Sequence, residues 1–288
     1  MFYLINKPTG FTSFDVVNKI RKKFQIKKAG HTGTLDPLAS GLLIVATGNS
    51  TKLISFLDKL NKKYKFTFNL DGFTQTGDLG SEIKYLDEKL IKKGEKEITL
   101  KKIENVIKSD FFGIIKQIPP KYSAIKIGGK RAYTLARNNE NFQVPVRKVE
   151  IFSYKIIDFK FPSLTLEMEV GTGTYIRTIA EDIGKKLGLN GYVTKLERIK
   201  IGNFSLSEGK KLDEILVSDF TSYKKIFPNF QELQLDKKTV EDIKNGIVVK
   251  NKFALEEGQK YFIKSGDKYV SLLEIKSGNM VILKNKIE

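Results

Sequence analysis

The chain contains no cysteine and only one histidine, His31. Without cysteine it cannot form a disulfide, a thiolate nucleophile or a cysteine-based zinc site. A single histidine also argues against a histidine-built metal site and against a Ser-His-Asp triad. We therefore expect no protein metal site.

Long apolar runs are absent as well. No window approaches about 18 consecutive apolar residues, so we expect no membrane span and no membrane partner. The opening stretch "MFYLINKPTG" has neither a charged n-region nor a long apolar h-region, which argues against a secretory signal. These features predict a cytoplasmic protein.

Acidic residues are few compared with basic ones. The chain has 33 Asp and Glu against 51 Lys and Arg, a formal net charge of +18. This balance favours a polyanionic partner, namely RNA, DNA or an acidic membrane surface, although a compositional bias towards lysine explains part of the excess. Arginine is rare, and we expect it where a planar, permanent cation is needed. The arginines are Arg21, Arg131, Arg137, Arg147, Arg177 and Arg198.

Helical and strand patterns alternate irregularly along the chain. "TSFDVVNKIRKKF" predicts a helix with a Thr12–Asp15 capping box and with Phe14 on its apolar face. "STKLISFLDKL" predicts a second capped helix, and "DGFTQTGDLGSE" predicts a loop. The irregular order indicates an α+β fold with a mixed sheet. From about Phe230 onward, short strands, one helix and glycine turns predict a small β-rich domain.

Five more elements are predicted further along. "KKYKFTFNL" is a strand with Tyr64, Phe66 and Phe68 on one face. "VEIFSYKIIDFKF" and "LTLEMEV" form a hairpin, "TYIRTIAEDIGKKLG" is a helix ended by Gly188, and "YVTKLERIKIGNF" is a strand.

One stretch, "AGHTGTLDPLASGLLIVATG" at residues 29–48, carries very little charge. Pro37 favours extended geometry at Asp36, while Gly33 and Gly41 permit the close approach of a ligand or another backbone segment. A carboxylate placed in this way can act as a nucleophile or a base, or it can cap a turn before proline. The spacing alone leaves these alternatives open.

Six motifs occur in a fixed order along the chain: "KPTGFTS", "GHTGTLDPLASGLL", "KKYKF", "QIPPKYSAIKIGG", "GTYIRTIAEDIG" and "LERIKIGNF". This order resembles the TruB family of tRNA pseudouridine-55 synthases. The resemblance extends from about Asn6 to Phe204, roughly two thirds of the chain.

The resemblance implies an isomerase that flips one uridine out of the T loop of tRNA. Such enzymes break the N1–C1′ bond, turn the base and rejoin it through C5, and they need no cofactor. The implied structure is the pseudouridine synthase fold, with a mixed, mainly antiparallel central sheet flanked by helices and loops. The implied partner is the T stem-loop of tRNA, and we expect the protein to be a monomer.

The resemblance also assigns three catalytic residues. Asp36 matches the catalytic aspartate, either as a nucleophile or as the group that starts glycal formation at the ribose. Arg177 matches the arginine that holds this carboxylate charged, opposing the rise in pKa that burial causes. Tyr64 matches the tyrosine that stacks on the base and takes the C5 proton; a core tyrosine is its alternative.

Other residues are implied to touch the RNA. His31 matches a side chain that inserts into the T loop, and its alternative is a histidine that fixes a turn through hydrogen bonds. The segment 126–148 is basic, and we expect it to contain a short helix and to order on RNA as a flap; a solvated loop is the alternative. The remaining substrate- or RNA-binding residues are Tyr175, Leu196, Lys7, Lys126, Arg131 and Arg147; for Tyr175 and Leu196, packing in the apolar core is the alternative.

The chain departs from the family pattern at two places. Val170 to Gly173 replace the usual Cys-Ser-x-Gly, and Glu197 replaces a basic residue of "LRR". The expected domains are a catalytic domain at 1–228 and a domain at 229–288 that resembles a PUA domain. A guide-RNA-dependent synthase and a non-catalytic tRNA-binding or folding factor are the alternative functions.

Overall fold

The structure is a computed structural model that describes residues 1–287. Its α-helices are α1 Ser13–Lys23, α2 Ile54–Leu57, α3 Glu88–Glu97, α4 Leu100–Asp110, α5 Ala132–Arg137, α6 Ile176–Lys186, α7 Tyr223–Ile226 and α8 Lys237–Lys244. Short 3-10 helices cover Gly48–Leu53 and Leu206–Glu208. Within residues 1–287, no helix has the length and apolar character needed to cross a membrane.

Strands make up most of the remaining structure, and they are numbered here along the chain. They are β1 Phe2–Lys7, β2 Ala29–His31, β3 Ser40–Thr47, β4 Lys62–Asn69, β5 Gly72–Thr74, β6 Ile83–Tyr85, β7 Gly113–Gln117, β8 Lys126–Ile127, β9 Lys130–Arg131, β10 Arg147–Lys160, β11 Ser163–Val170, β12 Tyr192–Ile201, β13 Phe204–Ser205, β14 Lys210–Lys211, β15 Gln231–Gln234, β16 Val249–Lys250, β17 Lys260–Ser265, β18 Lys268–Lys276 and β19 Asn279–Asn285.

Ten of these strands form the main sheet, in the order β14-β1-β3-β12-β4-β11-β10-β7, with β13 paired to β12 and β2 paired to β3. The pairs β1–β14 and β3–β12 are parallel, and the other pairs are antiparallel. The predicted α+β fold with a mixed, mainly antiparallel sheet is confirmed.

Alternating side chains divide the core between the two faces of the sheet. Tyr3 and Ile5 of β1 pack with the buried side of α1, whereas Phe2 and Leu4 point to the other face. The period of two along a strand produces this division. At the far end of the sheet, β4 and β11 pack against α4 and α6 in a separate core.

The C-terminal strands form their own five-stranded sheet, in the order β15-β17-β18-β19-β16. This matches the β-rich region predicted from about Phe230. The sheet packs on the main body, because Phe262 and Leu272 share one buried cluster with Phe2 and Leu4. The proposed domain boundary between residues 228 and 229 precedes β15 and stays a prediction.

Several local predictions need correction. The second predicted helix is a 3-10 helix followed by one α-helical turn, without a side-chain cap. The 3-10 helix begins at Gly48, before Ser50, and the side chain of its N-cap residue Thr47 makes no cap hydrogen bond; the Ser50 hydroxyl instead lies 2.6 Å from both the terminal amine of Met1 and the hydroxyl of Tyr223. The predicted loop contains β5, which pairs with β6. The Thr12 capping box is present, but Phe14 is 62% exposed.

Helix α6 lies unusually close to the chain that follows it. Gly188 ends the helix with a φ of +82°, and the chain turns back towards β12. A Cβ at Gly184 would lie 2.7 Å from the Gly191 nitrogen and closer still to the Asn190 carbonyl. The missing side chain therefore allows α6 to press on the backbone that leads into the sheet, which fixes the position of Arg177.

We expect Gly184→Ala to destabilise the protein by about 1–3 kcal/mol, because the added methyl group collides with backbone. In an unobstructed helix the same change stabilises by about 0.5–1 kcal/mol. Urea unfolding followed by circular dichroism measures the difference. Lys185→Ala, at the exposed neighbouring position, is the control. A Gly184→Ala protein as stable as the unchanged chain would contradict the close packing.

Candidate active site

A cavity of about 690 Å³ opens beside the parallel junction of β3 and β12. One wall is the loop from His31 to Asp36, which leads into β3. The start of β4 and the segment from Val170 to Arg177 form further walls, and part of the segment 126–148 lies at the rim. The predicted low-charge stretch thus supplies one side of the cavity.

Asp36 and Arg177 form a two-point ion pair inside this cavity. The Arg177 Nε lies 2.9 Å from Oδ2 of Asp36, and Nη2 donates to Oδ1 at 3.0 Å. The arginine side chain is only 5% exposed, whereas the aspartate side chain keeps 33% of its surface open. Parallel N–H···O contacts of this kind fix orientation as well as charge.

The guanidinium is held by three further groups. Nη1 donates to the Thr76 carbonyl at 2.7 Å, Nη2 donates to the Tyr122 carbonyl at 3.0 Å, and Asp78 lies 3.7 Å from Nε. Gly77 lies alongside, since a Cβ there would approach the Arg177 Cβ to 3.2 Å. Arg177 therefore cannot rotate away from Asp36 without breaking these backbone contacts.

Two opposing effects set the pKa of Asp36. Burial raises it above the usual value for aspartate, and the nearby Asp78 carboxylate adds to the rise. Arg177 and Lys7 lower the pKa, but the net shift is upward. The expected opposition between burial and the arginine is therefore present, and Arg177 offsets burial only in part.

The loop that carries Asp36 is tied to the N-terminal part of the chain. Gly10 donates to the Pro37 carbonyl at 2.8 Å, and the Leu35 amide donates to the Ser13 hydroxyl at 2.9 Å. The Lys7 ammonium donates to the Phe11 and Pro37 carbonyls at 2.5 and 3.4 Å.

The location of Lys7 corrects one prediction. Its side chain is completely buried, and burial lowers its pKa to about 8. An ammonium enclosed by backbone carbonyls cannot reach a phosphate on the surface. Lys7 therefore stabilises the loop that carries Asp36, and the RNA contact expected for its side chain is not supported.

Tyr64 and Leu196 lie on the adjacent strands β4 and β12, and both line the cavity. Tyr64 shares a strand face with Phe66 and Phe68, as predicted, but only the two phenylalanines are fully buried. The face thus runs from the core into the cavity. A half-buried aromatic ring in this position offers a surface for stacking.

Tyr175 comes immediately before α6 and also lines the cavity. The buried Gln117 side chain holds its backbone from both sides, by accepting from the amide at 2.8 Å and donating to the carbonyl at 3.1 Å. Burial raises the pKa of the Tyr175 hydroxyl. Gln117 is the first residue of the motif "QIPPKYSAIKIGG", but no role was predicted for it, and it acts on a residue 58 positions away along the chain.

His31 is half-buried on the cavity wall at the end of β2. Burial and the positive charge of Arg198 lower its pKa, while Asp58 acts in the opposite direction. Within residues 1–287 its Nδ1 is buried without a hydrogen-bond partner. That atom therefore does not hold a turn, which weakens the structural alternative for this side chain.

Arg198 is one of the rare arginines and lies in the motif "LERIKIGNF", and although no role was predicted for it, it supports the site. Its side chain is 1% exposed, with Nε donating to the Leu42 carbonyl at 2.7 Å and Nη2 to the Gly33 carbonyl at 3.1 Å. It joins β12 to both ends of the Asp36 loop. The scarcity of arginine was the signal that could have marked it.

The segment 126–148 contains the β8–β9 hairpin and the predicted short helix, α5. Lys126 is exposed on the hairpin, away from the cavity lining. Arg131 and Arg147 are exposed residues that do line the cavity, and the Arg131 guanidinium donates to the Ala124 carbonyl. Two of the three expected basic contacts therefore lie at the rim.

The family model for TruB family pseudouridylate synthases (N-terminal domain) matches residues 21–176. A protein of Fusobacterium nucleatum named tRNA pseudouridine synthase B is 38% identical over 284 residues, 96% of each chain. A protein of the same name from Clostridium tetani is 38% identical over 88% of this chain and 86% of the relative. The chain belongs to the TruB family. The resemblance inferred from the motif order is confirmed.

Solved structures with a similar fold are more distant in sequence from this TruB-family chain. An H/ACA RNP bound to a substrate RNA containing 2′-deoxyuridine includes a chain with a TM-score of 0.69 at 20% identity, covering 99% of this chain and 84% of that one. A Cbf5-Nop10-Gar1 complex gives a TM-score of 0.65 at 20% identity, with the same coverage. At this identity the likeness concerns the fold, and it confirms the expected pseudouridine synthase architecture.

We expect Arg177→Gln to raise the pKa of Asp36 further, because the change removes the positive charge that favours the carboxylate. Carbon-13 NMR titration of the Asp36 carboxyl group measures this. Arg147→Gln is the control, since Arg147 lines the same cavity without an ion pair to Asp36. An Asp36 pKa that stays the same or falls in Arg177→Gln would show that the ion pair does not control its ionisation.

Proposed function

We propose that this TruB-family protein converts uridine 55 in the T loop of tRNA into pseudouridine. The observation that carries the proposal is the two-point Asp36–Arg177 ion pair inside a cavity of nucleotide size. The relatives named tRNA pseudouridine synthase B support tRNA as the substrate.

In the proposed reaction the target uridine leaves the base stack and enters the cavity. Asp36 either attacks the base or starts glycal formation at the ribose, and the N1–C1′ bond breaks. The base then turns so that C5 forms the new bond to C1′. The proton lost from C5 is matched by one gained at N1, so the product is an isomer of the substrate.

Tyr64 and Arg177 divide the supporting roles. The Tyr64 ring stacks on the flipped base and takes the C5 proton, from a position where the aromatic core of β4 opens into the cavity. Arg177 keeps Asp36 ionised and fixes the direction of both carboxylate oxygens. Preorganised charge in a partly closed site stabilises charge that develops during reaction.

The remaining cavity residues shape the pocket and guide the RNA. His31 enters the T loop and fills the space that the flipped base leaves, as inserted side chains do in other nucleic-acid complexes. Its unpaired Nδ1 supports this role. Tyr175 and Leu196 form walls around the base.

Basic groups around the cavity bind the T stem-loop in this proposal. Arg131 and Arg147 at the rim, with Lys126 on the hairpin, contact phosphates, and the flap at 126–148 orders on the RNA. The protein acts as a cytoplasmic monomer. Residues 229–288 form a PUA-like RNA-binding domain, for which the separate five-stranded sheet is the support.

Neither alternative function is favoured. The guide-RNA-dependent alternative is supported only by the similarity in fold to an H/ACA RNP protein at 20% identity. The relatives at 38% identity are named tRNA pseudouridine synthase B. A non-catalytic tRNA-binding factor does not require the Asp36–Arg177 ion pair, whose buried arginine is costly to maintain unless its charge is used.

Asp36→Asn should reduce activity by about a hundredfold or more, because the amide cannot act as nucleophile or base. The assay is tritium release from C5-labelled, unmodified tRNA with the protein alone. Asp213→Asn, at an exposed carboxylate paired with Lys19, is the control. Label release that persists in Asp36→Asn, or its absence from the unchanged protein, would refute the catalytic assignment.

Saturating tRNA should slow tryptic cleavage within residues 126–148, because a flap that orders on RNA is removed from the protease. The fragments and their rates are followed by mass spectrometry. Cleavage at Lys93, on the exposed side of α3, serves as the internal reference. Equal protection at both places, or none in the flap, would argue against ordering.

A further inference from the structure

One wall of the cavity carries two buried cations that lack acidic partners. Lys62 is 7% exposed and Arg198 is 1% exposed, and both line the cavity. Within residues 1–287, neither forms an ion pair with a carboxylate, whereas Arg177 is balanced by Asp36 and Asp78. Asp58 is the acidic residue of the cavity lining that acts on Lys62.

The contacts of these two cations are all to neutral groups. The Lys62 ammonium donates to the Asp58 carbonyl at 2.5 Å and to the Thr172 hydroxyl at 3.3 Å, which uses two of its three N–H groups. Arg198 donates to the carbonyls of Leu42 and Gly33. Hydrogen bonds of this kind orient the cations, and the Asp58 carboxylate in the same lining compensates their charge only in part, without a direct ion pair.

Gly33 lies between the two cations and keeps the wall open. A Cβ at Gly33 would lie 3.7 Å from Cε of Lys62 and 3.4 Å from Nη1 of Arg198. Because glycine has no side chain, nothing from this residue covers either group. The loop that positions Asp36 therefore also exposes the cationic wall to a ligand in the same cavity.

The electrostatic setting favours an anion here. Burial lowers the pKa of Lys62 to about 8, Arg198 lowers it as well, and Asp58 opposes them. Buried charges are normally paired, because an unpaired one is costly. A ligand that supplies one negative charge beside Lys62 would remove this penalty.

We propose that Lys62 binds a phosphodiester of the target nucleotide, one of the two that flank its ribose, with Arg198 adding positive charge behind it. The inference rests on the proposed function, since the RNA has to place a nucleotide in the cavity. With the base beside Asp36 and Tyr64, the phosphate of that same nucleotide lies against the Lys62 wall. Lys62 thus anchors the backbone while the base reacts.

The test replaces single phosphates of a T stem-loop RNA by neutral methylphosphonates, one on each side of the target uridine. Binding is measured in the Asp36→Asn background to prevent turnover. One of the two replacements should weaken binding by about tenfold or more, the range expected for a lost hydrogen bond between charged groups. In Lys62→Met the same replacement should have less than about a twofold effect, because its partner is gone.

Lys63→Met is the matched control, since Lys63 is the next residue of β4 and pairs with Glu167 across the strands. It should retain the full sensitivity to the methylphosphonate. Lys62→Arg, which keeps the charge, should retain most of it and provides a second variant if Lys62→Met does not fold.

A pH series supplies a measurement that needs no variant at Lys62. Only the protonated amine binds phosphate, so affinity for the unmodified RNA should fall several-fold between about pH 7 and about pH 9. Asp58 and Arg198 act on Lys62, and both also act on His31. These side chains are present whichever RNA is bound, so their titration affects the two RNAs alike. The methylphosphonate RNA should therefore show a shallower fall.

Three results would overturn the inference: no methylphosphonate effect at either position, equal effects in Lys62→Met and the unchanged chain, or competition by inorganic phosphate without any methylphosphonate effect. The last would mark a site for free anions only. Failure of the proposed function is distinguishable, since the unchanged protein would then release no tritium from tRNA, whatever the binding results.

Discussion

The structure of the site depends on keeping one carboxylate charged where burial favours its neutral form. The Asp36–Arg177 ion pair favours the charged form and offsets burial in part, and its cost is high because an arginine at 5% exposure has lost nearly all its water. The structure replaces that water with the Thr76 and Tyr122 carbonyls and a second carboxylate, Asp78. A buried guanidinium needs this many partners, which explains why residues from distant parts of the chain converge on it.

The same constraint accounts for features of the fold that have no direct part in chemistry. Helix α6 has to bring Arg177 to one position, and its contact at Gly184 with the chain entering β12 fixes the helix to the sheet. The loop that carries Asp36 is fixed separately, because Lys7 donates to the Pro37 carbonyl and Arg198 donates to the Gly33 carbonyl. Asp36 and Arg177 are thus each positioned by other contacts, so the ion pair forms without a further cost for aligning the two side chains.

The sequence predicted the features that depend on local chemistry. The capping box at Thr12, the helix end at Gly188 and the hairpin before residue 170 follow from short-range signals, and the structure contains all three.

The order of motifs also indicated Asp36 and Arg177, although they are 141 residues apart. In contrast, the two hydrogen bonds between the Gln117 side chain and the Tyr175 backbone were not predicted, because the motifs that contain these residues do not show which residues pair across 58 positions. The cap predicted for the second helix is absent because that helix begins at Gly48, where the preceding Thr47 makes no cap hydrogen bond.

The burial of lysines was the hardest feature to predict, because a lysine-rich sequence gives no indication of which ones leave the surface. Lys7 and Lys62 are both buried, and burial lowers the pKa of each to about 8, yet their surroundings differ. Lys7 is enclosed by backbone carbonyls beneath the loop, where no ligand can reach it. Lys62 lies on the cavity wall with one N–H group to spare, beside an arginine that is also without an acid. A buried cation whose donors are all used supports the fold, whereas one that faces a cavity with its charge compensated only in part is suited to bind an anion.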